Sequence, residues 1–172
     1  MSDNTATPLP IDADAAEHIK RSLASSQSRN QGVMLKLLDS IDQQASLERL
    51  LEDGGNINWL LGHLATSRDD MLVELGAKRL MAKDADARYG YGSQPEAAEA
   101  AAPLESLLAA LELANRRVLE EIDKLDPARL IETDERGRRL LDNLEFDLWH
   151  EAYHLGQITL YRKKAGLSSP IG

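Results

Sequence analysis

The stretch from residue 138 to residue 165 reads RRLLDNLEFDLWHEAYHLGQITLYRKKA and predicts one long helix. Leucines recur along it and aromatic side chains widen the apolar arc, so we expect burial on most sides, against sister helices or a second subunit. A polar strip nevertheless runs along one side and consists of Asn143, Asp147, His150, His154, Gln157 and Tyr161. Buried polar groups need partners. A bound ion with its surrounding shell would supply them.

His150 and His154 are the most informative residues of this strip. They are one helical turn apart, so their Cβ atoms lie about 5–6 Å from each other, and two ring nitrogens can converge on one Zn²⁺ at about 2.0–2.1 Å each. Such a pair is weak evidence alone in a chain with four histidines, because two histidines can also fill space in a core. A metal site needs a third ligand from elsewhere.

Composition indicates a single helical domain. The chain has 172 residues and a mass of 19.0 kDa, which is the size of one domain. Hydrophobic residues make up 42% but aromatic residues only 4%, and the abundance of Leu and Ala favours helices over a sheet. We predict a flexible leader at residues 1–13, which is polar and carries two prolines, followed by one domain at residues 14–172.

Charge and residue types exclude several partners. A net charge of −9 would repel a phosphate backbone, so no nucleic acid is expected. The chain has no cysteine, so the protein itself supplies neither a disulfide nor a catalytic thiol. No stretch approaches the roughly 20 apolar residues of a membrane span, and the N-terminus lacks the apolar core of a signal peptide. We therefore expect a cytoplasmic protein without a membrane partner.

Four amphipathic stretches predict an all-α four-helix bundle. The first carries apolar residues from Ile19 to Ile41, and the other three are predicted at about 57–76, 103–125 and 138–165. Residues 83–102 are predicted as a long crossover loop between the second and third helices, and residues 127–137 as a second loop. Polar residues that fall on the apolar stripes, such as Asn30 and Asn115, either reflect a rotation of the face or border a wet cavity.

His63 offers the third ligand. It lies in the second helix, in the string NINWLLGHL at residues 56–64. Taken alone, a helical histidine is more often a core or surface residue than a ligand. The two strings together, Asn-Trp-Leu-Leu-Gly-His and much later His-Glu-x-x-His-x-Gly-Gln, resemble the DinB/YfiT-like family of metal-binding four-helix bundles. The resemblance extends from about residue 15 onward.

The resemblance implies a site for one divalent metal ion, with His63, His150 and His154 as its ligands. Zn and Ni are the expected ions, although imidazole suits several metals. Other side chains could orient the imidazoles or line a pocket beside them. These candidates are Asp147, Glu151, Gln157, Tyr161, Asn30 and Asn115.

The string HEAYH also matches the HExxH motif of zincin proteases, in which Glu151 would activate a water molecule. Zincins usually take their third ligand from downstream of this motif. Residues 155–172 contain no Asp, Glu or His, which disfavours a zincin. Glu151 is then better interpreted as a carboxylate that supports the site or lies at an interface.

Three neutral imidazoles leave one coordination position open, as at catalytic rather than structural zinc. The resemblance includes enzymes whose metal activates a low-molecular-weight thiol, such as bacillithiol, mycothiol or glutathione, for transfer onto an electrophile. We therefore expect a thiol-dependent S-transferase with a small-molecule substrate, in the form of a homodimer. Two alternatives stay open: a hydrolase that uses metal-bound hydroxide, and a metal-binding stress-response protein without turnover.

Overall fold

The computed structural model describes residues 12–51 and 54–171, and these residues form six α-helices and one short 3-10 helix. The α-helices are α1 (Ala13–Leu38), α2 (Gln43–Leu47), α3 (Ile57–Glu74), α4 (Ala85–Tyr89), α5 (Leu104–Lys124) and α6 (Leu140–Lys164), and the 3-10 helix spans Pro127–Ile131. The four long helices α1, α3, α5 and α6 pack against one another. The prediction of an all-α bundle is confirmed.

Local signals fix the starts of the two helices that carry the histidines. Asn56 caps α3 by accepting a hydrogen bond from the backbone N–H of Trp59 at 2.8 Å. Asp142 in the first turn of α6 accepts hydrogen bonds from the backbone N–H and the guanidinium of Arg139. Both helices therefore begin within two residues of the positions that the sequence predicts.

The predicted loops are wrong in part, because short helices interrupt them. Residues 83–102 contain α4, whose last residue, Tyr89, inserts its ring into the core and is only 4% exposed. Residues 127–137 begin with the 3-10 helix, which is anchored by the buried Leu130. The five-residue helix α2 was not predicted either. Helices of one turn are too short to show a hydrophobic period, so pattern reading misses them.

A polar layer divides the core of the bundle. One hydrophobic cluster includes Leu61 and Leu155, and the other includes Leu72 and Leu144. Between them, each of the four long helices contributes buried or half-buried polar side chains, which are Gln27, Gln31, Arg68, Asn115 and Glu151. This set of five side chains is called the polar layer below.

The outer face of α6 is less buried within one chain than the sequence suggests. Phe146, Trp149, Tyr153 and Leu160 are each more than half exposed, because none of the described helices covers this side. The predicted leader, residues 1–13, lies outside the described residues except for the N-cap Asp12 and the first residue of α1. None of the described helices has the length and apolar character needed to cross a membrane.

Candidate metal centre

Three histidines from two helices meet at one point on the side of the bundle. His63 comes from the middle of α3, and His150 and His154 come from consecutive turns of α6. Nε2 of His150 lies 3.2 Å from Nε2 of His63 and 2.9 Å from Nε2 of His154. The potential ligand atoms of all three residues lie within 4.8 Å of one another, so the cluster could hold a metal ion.

Contacts from α3 itself, from α4 and from the residues after α4 orient His63. Its Nδ1 lies 2.7 Å from the backbone carbonyl oxygen of Tyr89. Its ring stacks on Trp59 with a centroid distance of 5.0 Å and an interplanar angle of 5°. The indole N–H of Trp59 in turn donates to Oγ of Ser93 at 3.0 Å. Because a carbonyl oxygen can only accept, Nδ1 of His63 carries the proton and Nε2 presents a lone pair to the cluster.

The two histidines of α6 are also held through their Nδ1 atoms. Nδ1 of His154 lies 2.7 Å from Oε1 of Gln157, whose amide nitrogen donates to the hydroxyl of Tyr153 at 3.1 Å. Nδ1 of His150 lies 3.2 Å from Oγ of Ser67, four residues after His63 on α3. The amide oxygen of Gln157 can only accept, so His154 also directs a bare Nε2 at the cluster.

This arrangement fits a metal ion better than it fits hydrogen bonds among the imidazoles. His63 and His154 both present lone pairs toward Nε2 of His150, and one proton there could satisfy only one of them. Ligands at about 2.0–2.1 Å in a tetrahedral shell lie about 3.3 Å apart, close to the observed nitrogen separations. Burial, with the neighbouring His154 and His63, lowers the pKa of His150 to about 4, which favours the neutral imidazole that a metal requires.

A cavity of about 430 Å³ opens beside the cluster. His63 and His150 form part of its wall, together with Ser67 and the exposed rings of Phe146 and Tyr91. A second cavity of about 600 Å³ continues along the cleft between α3 and α6 and shares Asp70, Phe146 and Asp147 with the first. A small molecule can therefore reach two of the three histidines from solvent.

Carboxyl groups dominate the floor of this cleft. Asp147 lies beside Glu74, and burial, followed by the charges of Glu74 and Asp70, raises the pKa of Asp147 to about 8. Oδ2 of Asp147 and Oε2 of Glu74 are buried without a hydrogen-bond partner among the described residues. No hydrogen bond joins Asp147 to a histidine in the described part of the chain. Asp147 thus faces α3 rather than orienting an imidazole.

Asp147→Asn should be more stable than the unaltered protein at high pH, both in the metal-free state, and the difference should grow as the pH rises. The unfolded carboxyl titrates near its ordinary pKa of 3.8 and the folded one near 8, so the folded chain binds the extra proton between these values. The stability that this proton confers is fully present below about pH 4 and is lost as the pH rises through 8. We expect the variant to gain about 2 kcal/mol or more over the unaltered protein at pH 8, as measured by urea unfolding with a chelator present.

Glu145→Gln is the matched control for this prediction, because Glu145 lies on the exposed side of the same helix. It should change the free energy of unfolding by less than about 0.5 kcal/mol. If the free energy of unfolding falls equally with rising pH in Asp147→Asn and in the unaltered protein, Asp147 does not carry the buried proton.

The other predicted site residues lie away from the imidazoles. Glu151 forms a buried ion pair with Arg68, so it neither reaches a water molecule at the cluster nor lies at an exposed interface. Tyr161 is half-buried and packs against the core, with its hydroxyl near Gly55. Asn30 donates to the carbonyl oxygen of Leu148 at 3.0 Å, and Asn115 accepts a hydrogen bond from Gln27 at 3.1 Å. These last two contacts join helices and do not border the cavity beside the histidines.

Sequence reasoning missed three groups that hold the histidines. Ser67 could have been found, because it lies four residues after His63 and thus on the same face of α3. Trp59, four residues before His63, could have been found in the same way. The carbonyl oxygen of Tyr89 could not, because a backbone acceptor leaves no mark in the sequence.

An all-helical bundle with a three-histidine cluster beside an open cleft defines a class of candidate metalloproteins. Comparison with known families identifies the class further, since the sequence pattern of the DinB superfamily matches residues 28–158. This range includes all three histidines and most of the bundle, and the chain belongs to the DinB superfamily. Comparison with curated proteins finds no match.

Proposed function

We propose that this protein is a metal-dependent enzyme that transfers the sulfur of a low-molecular-weight thiol onto an electrophile. The observation that carries the proposal is the convergence of three Nε2 atoms at the end of an open cavity. His63, His150 and His154 would hold one divalent ion, with Zn or Ni as the proposed metals. Such an ion would lower the pKa of a thiol that reaches it.

The chain's own residues support this chemistry by fixing the imidazoles before any ligand arrives. The carbonyl oxygen of Tyr89, the hydroxyl of Ser67 and the amide of Gln157 each hold one ring by its Nδ1. Ligand orientation of this kind typically contributes 10–100-fold to metal affinity or activity. Burial lowers the pKa of both His150 and His154, which favours the neutral form of these two rings.

The cavity has room for a thiol and a small electrophile together. With an aryl chloride as the electrophile, the thiol sulfur forms a new C–S bond, the C–Cl bond breaks, chloride leaves and the thiol proton passes to water. The exposed ring of Phe146, which lies 5.9 Å from His150 at an interplanar angle of 9°, offers an apolar surface for the arene.

The charge of the cavity wall guides the choice of thiol for a test. The wall beside the histidines carries the carboxylates of Asp70 and Asp86, which outnumber its one arginine, Arg79, whereas the carboxyl of Asp147 stays protonated below about pH 8. A thiol that bears an amine therefore suits this wall better than one that bears a carboxylate. Cysteamine and 3-mercaptopropionate have similar size and opposite charge, which makes them a matched pair of probes.

We expect the zinc- or nickel-loaded protein to conjugate cysteamine to 1-chloro-2,4-dinitrobenzene faster than thiol and metal do without protein. The rate with 3-mercaptopropionate should be about tenfold lower at equal thiolate concentration, because each unfavourable charge contact of about 1.4 kcal/mol changes a rate tenfold. The absorbance of the dinitrophenyl thioether measures both rates. His150→Ala loaded with the same metal is the control and should show only the background rate.

Three outcomes separate the proposal from its alternatives. Thiol-dependent conjugation that disappears in His150→Ala supports the transferase. Release of chloride without thiol indicates that water is the nucleophile and the protein is a hydrolase. Metal binding without either reaction leaves a binding protein. The homodimer and the cytoplasmic location stay predictions.

A further inference from the structure

The polar layer crosses the bundle at the level of the histidine cluster. Arg68 and Glu151 form its centre and are only 2% and 3% exposed. They form a buried ion pair through Nη2 and Oε1. Nη1 of Arg68 also donates to Oε1 of Gln31 at 2.7 Å and to the carbonyl oxygen of Leu111 at 2.6 Å. One guanidinium therefore joins α3 to α6, α1 and α5.

The same two helices carry the ion pair and the candidate ligands. On α6, Glu151 follows His150 directly, and on α3, Arg68 follows Ser67, whose hydroxyl contacts His150. A slide or rotation of α3 against α6 would break the Arg68–Glu151 contact and, at the same time, separate His63 from His150. The register of the two helices and the geometry of the cluster are thus coupled.

The energetics of buried ion pairs indicate that the Arg68–Glu151 pair has a role besides stabilising the fold. Removing two charges from water offsets most of the attraction between them, and apolar residues of similar volume often replace a buried ion pair with no loss of stability. Apolar side chains, however, can pack in several registers, whereas the hydrogen bonds that Arg68 donates to Glu151, Gln31 and the carbonyl oxygen of Leu111 form in one register only. The best-attested role of such buried polar groups is to specify register.

We propose that Arg68 and Glu151 are positioning residues that fix the register of α3 against α6 and so bring His63 to the two histidines of α6. They touch neither metal nor substrate and act only through the helices. The inference rests on the proposed metal site, because its effect is read out in metal affinity. Gln31 assists by holding the guanidinium from α1.

The test replaces both partners at once and measures fold stability and metal binding separately. In Arg68→Met/Glu151→Leu, the melting temperature of the metal-free protein should stay within about 5 °C of the unaltered value. The dissociation constant for Zn²⁺, measured by chelator competition, should rise about 10–100-fold. The visible absorption bands of bound Co²⁺ should shift or broaden, because the ligands no longer meet in one geometry. Each single variant should melt about 10 °C lower, since it leaves one buried charge unpaired.

Arg162→Met is the matched control, because Arg162 is a second buried arginine, on α6 itself, that donates to the carbonyl oxygens of Leu37 and Asp39. It should lower the melting temperature without changing zinc affinity or the Co²⁺ spectrum. A variant that tests the inference without altering charge is Gln31→Met, which should weaken zinc binding severalfold with little loss of stability. Gln31→Met provides the test of the inference if the double variant does not fold.

The outcomes distinguish this inference from the proposed metal site. If the unaltered protein binds zinc tightly and the folded double variant binds it equally tightly with the same Co²⁺ spectrum, the positioning role is wrong and the site stands. If the double variant does not fold, unchanged zinc affinity in Gln31→Met overturns the role. If the unaltered protein binds neither ion, both the site and the positioning role are overturned.

Discussion

Protein purified without an affinity tag is expected to carry one equivalent of zinc or nickel per chain, and replacement of any one of the three clustered histidines with Ala should abolish this occupancy. Structural zinc sites with four ligands contribute about 10–16 kcal/mol, or about 2.5–4 kcal/mol for each ligand. The loss of one imidazole from a set of three should therefore raise the dissociation constant about a hundredfold to a thousandfold. Elemental analysis after gel filtration and chelator competition measure the two quantities.

The fold should survive these substitutions. His63 and His150 are only half-buried, and burial lowers the pKa of both His150 and His154, which favours neutral rings; removal of one ring therefore breaks no ion pair among the described residues. The metal-free variants should melt within about 5 °C of the metal-free unaltered protein. The effect of each variant on metal binding is thus separable from an effect on folding.

His18→Ala is the control that removes a histidine outside the cluster. His18 is the one remaining histidine of the chain and is exposed on α1. Its replacement should leave the metal content at one equivalent. The ligand assignment fails if His63→Ala keeps full occupancy, because the site would then be an i,i+4 pair on α6 without a contribution from α3.

The long elements of the fold could be predicted from the sequence because their signals are local. The period of Leu and Ile along α3, α5 and α6, the N-cap Asn56 and the stop near Gly76 all act within one or two turns. The i,i+4 spacing of His150 and His154 is local as well. That His63 meets them depends on how two helices pack, and this step came from resemblance to a family rather than from spacing.

The environment of the histidines could not be predicted, because it depends on contacts between elements. A helical wheel places Asp147 on the same strip as His150, but it does not show that Asp147 lies beside Glu74 of α3. The same limit applies to Glu151, whose partner Arg68 lies 83 residues earlier in the chain. A polar residue on a buried face indicates that a partner exists and leaves its identity open.

Gly62→Ala is expected to impair the metal centre from outside the set of ligands. A Cβ atom at Gly62 would lie 2.3–2.6 Å from three ring carbons of Tyr89, much closer than atoms can approach. The ring is 4% exposed and fills the core, so it cannot move aside without moving α4. The carbonyl oxygen of Tyr89, which accepts from Nδ1 of His63, would move with it.

Two measurements should respond to this substitution. Overpacking of a core costs about 1–3 kcal/mol, which the better helix propensity of Ala offsets by about 1 kcal/mol. The net loss of stability should be about 0–2 kcal/mol in urea unfolding. Zinc affinity should fall about 10–100-fold, because His63 loses the acceptor that fixes its tautomer and orientation.

Gly156→Ala is the matched control, a helical glycine two residues after His154 whose added Cβ would meet no atom within 4 Å. It should raise stability by about 1 kcal/mol through helix propensity and leave zinc affinity unchanged.

A second variant separates the effect of the clash from the effect of helix propensity. Gly62→Ala/Tyr89→Ala removes the ring that the new methyl group meets. Stability should fall further, because a cavity replaces the ring, but zinc affinity should recover, because the backbone carbonyl at position 89 can return to His63. Affinity that stays low in this double variant would show that His63 depends on the tyrosine ring itself and not on the carbonyl oxygen beside it.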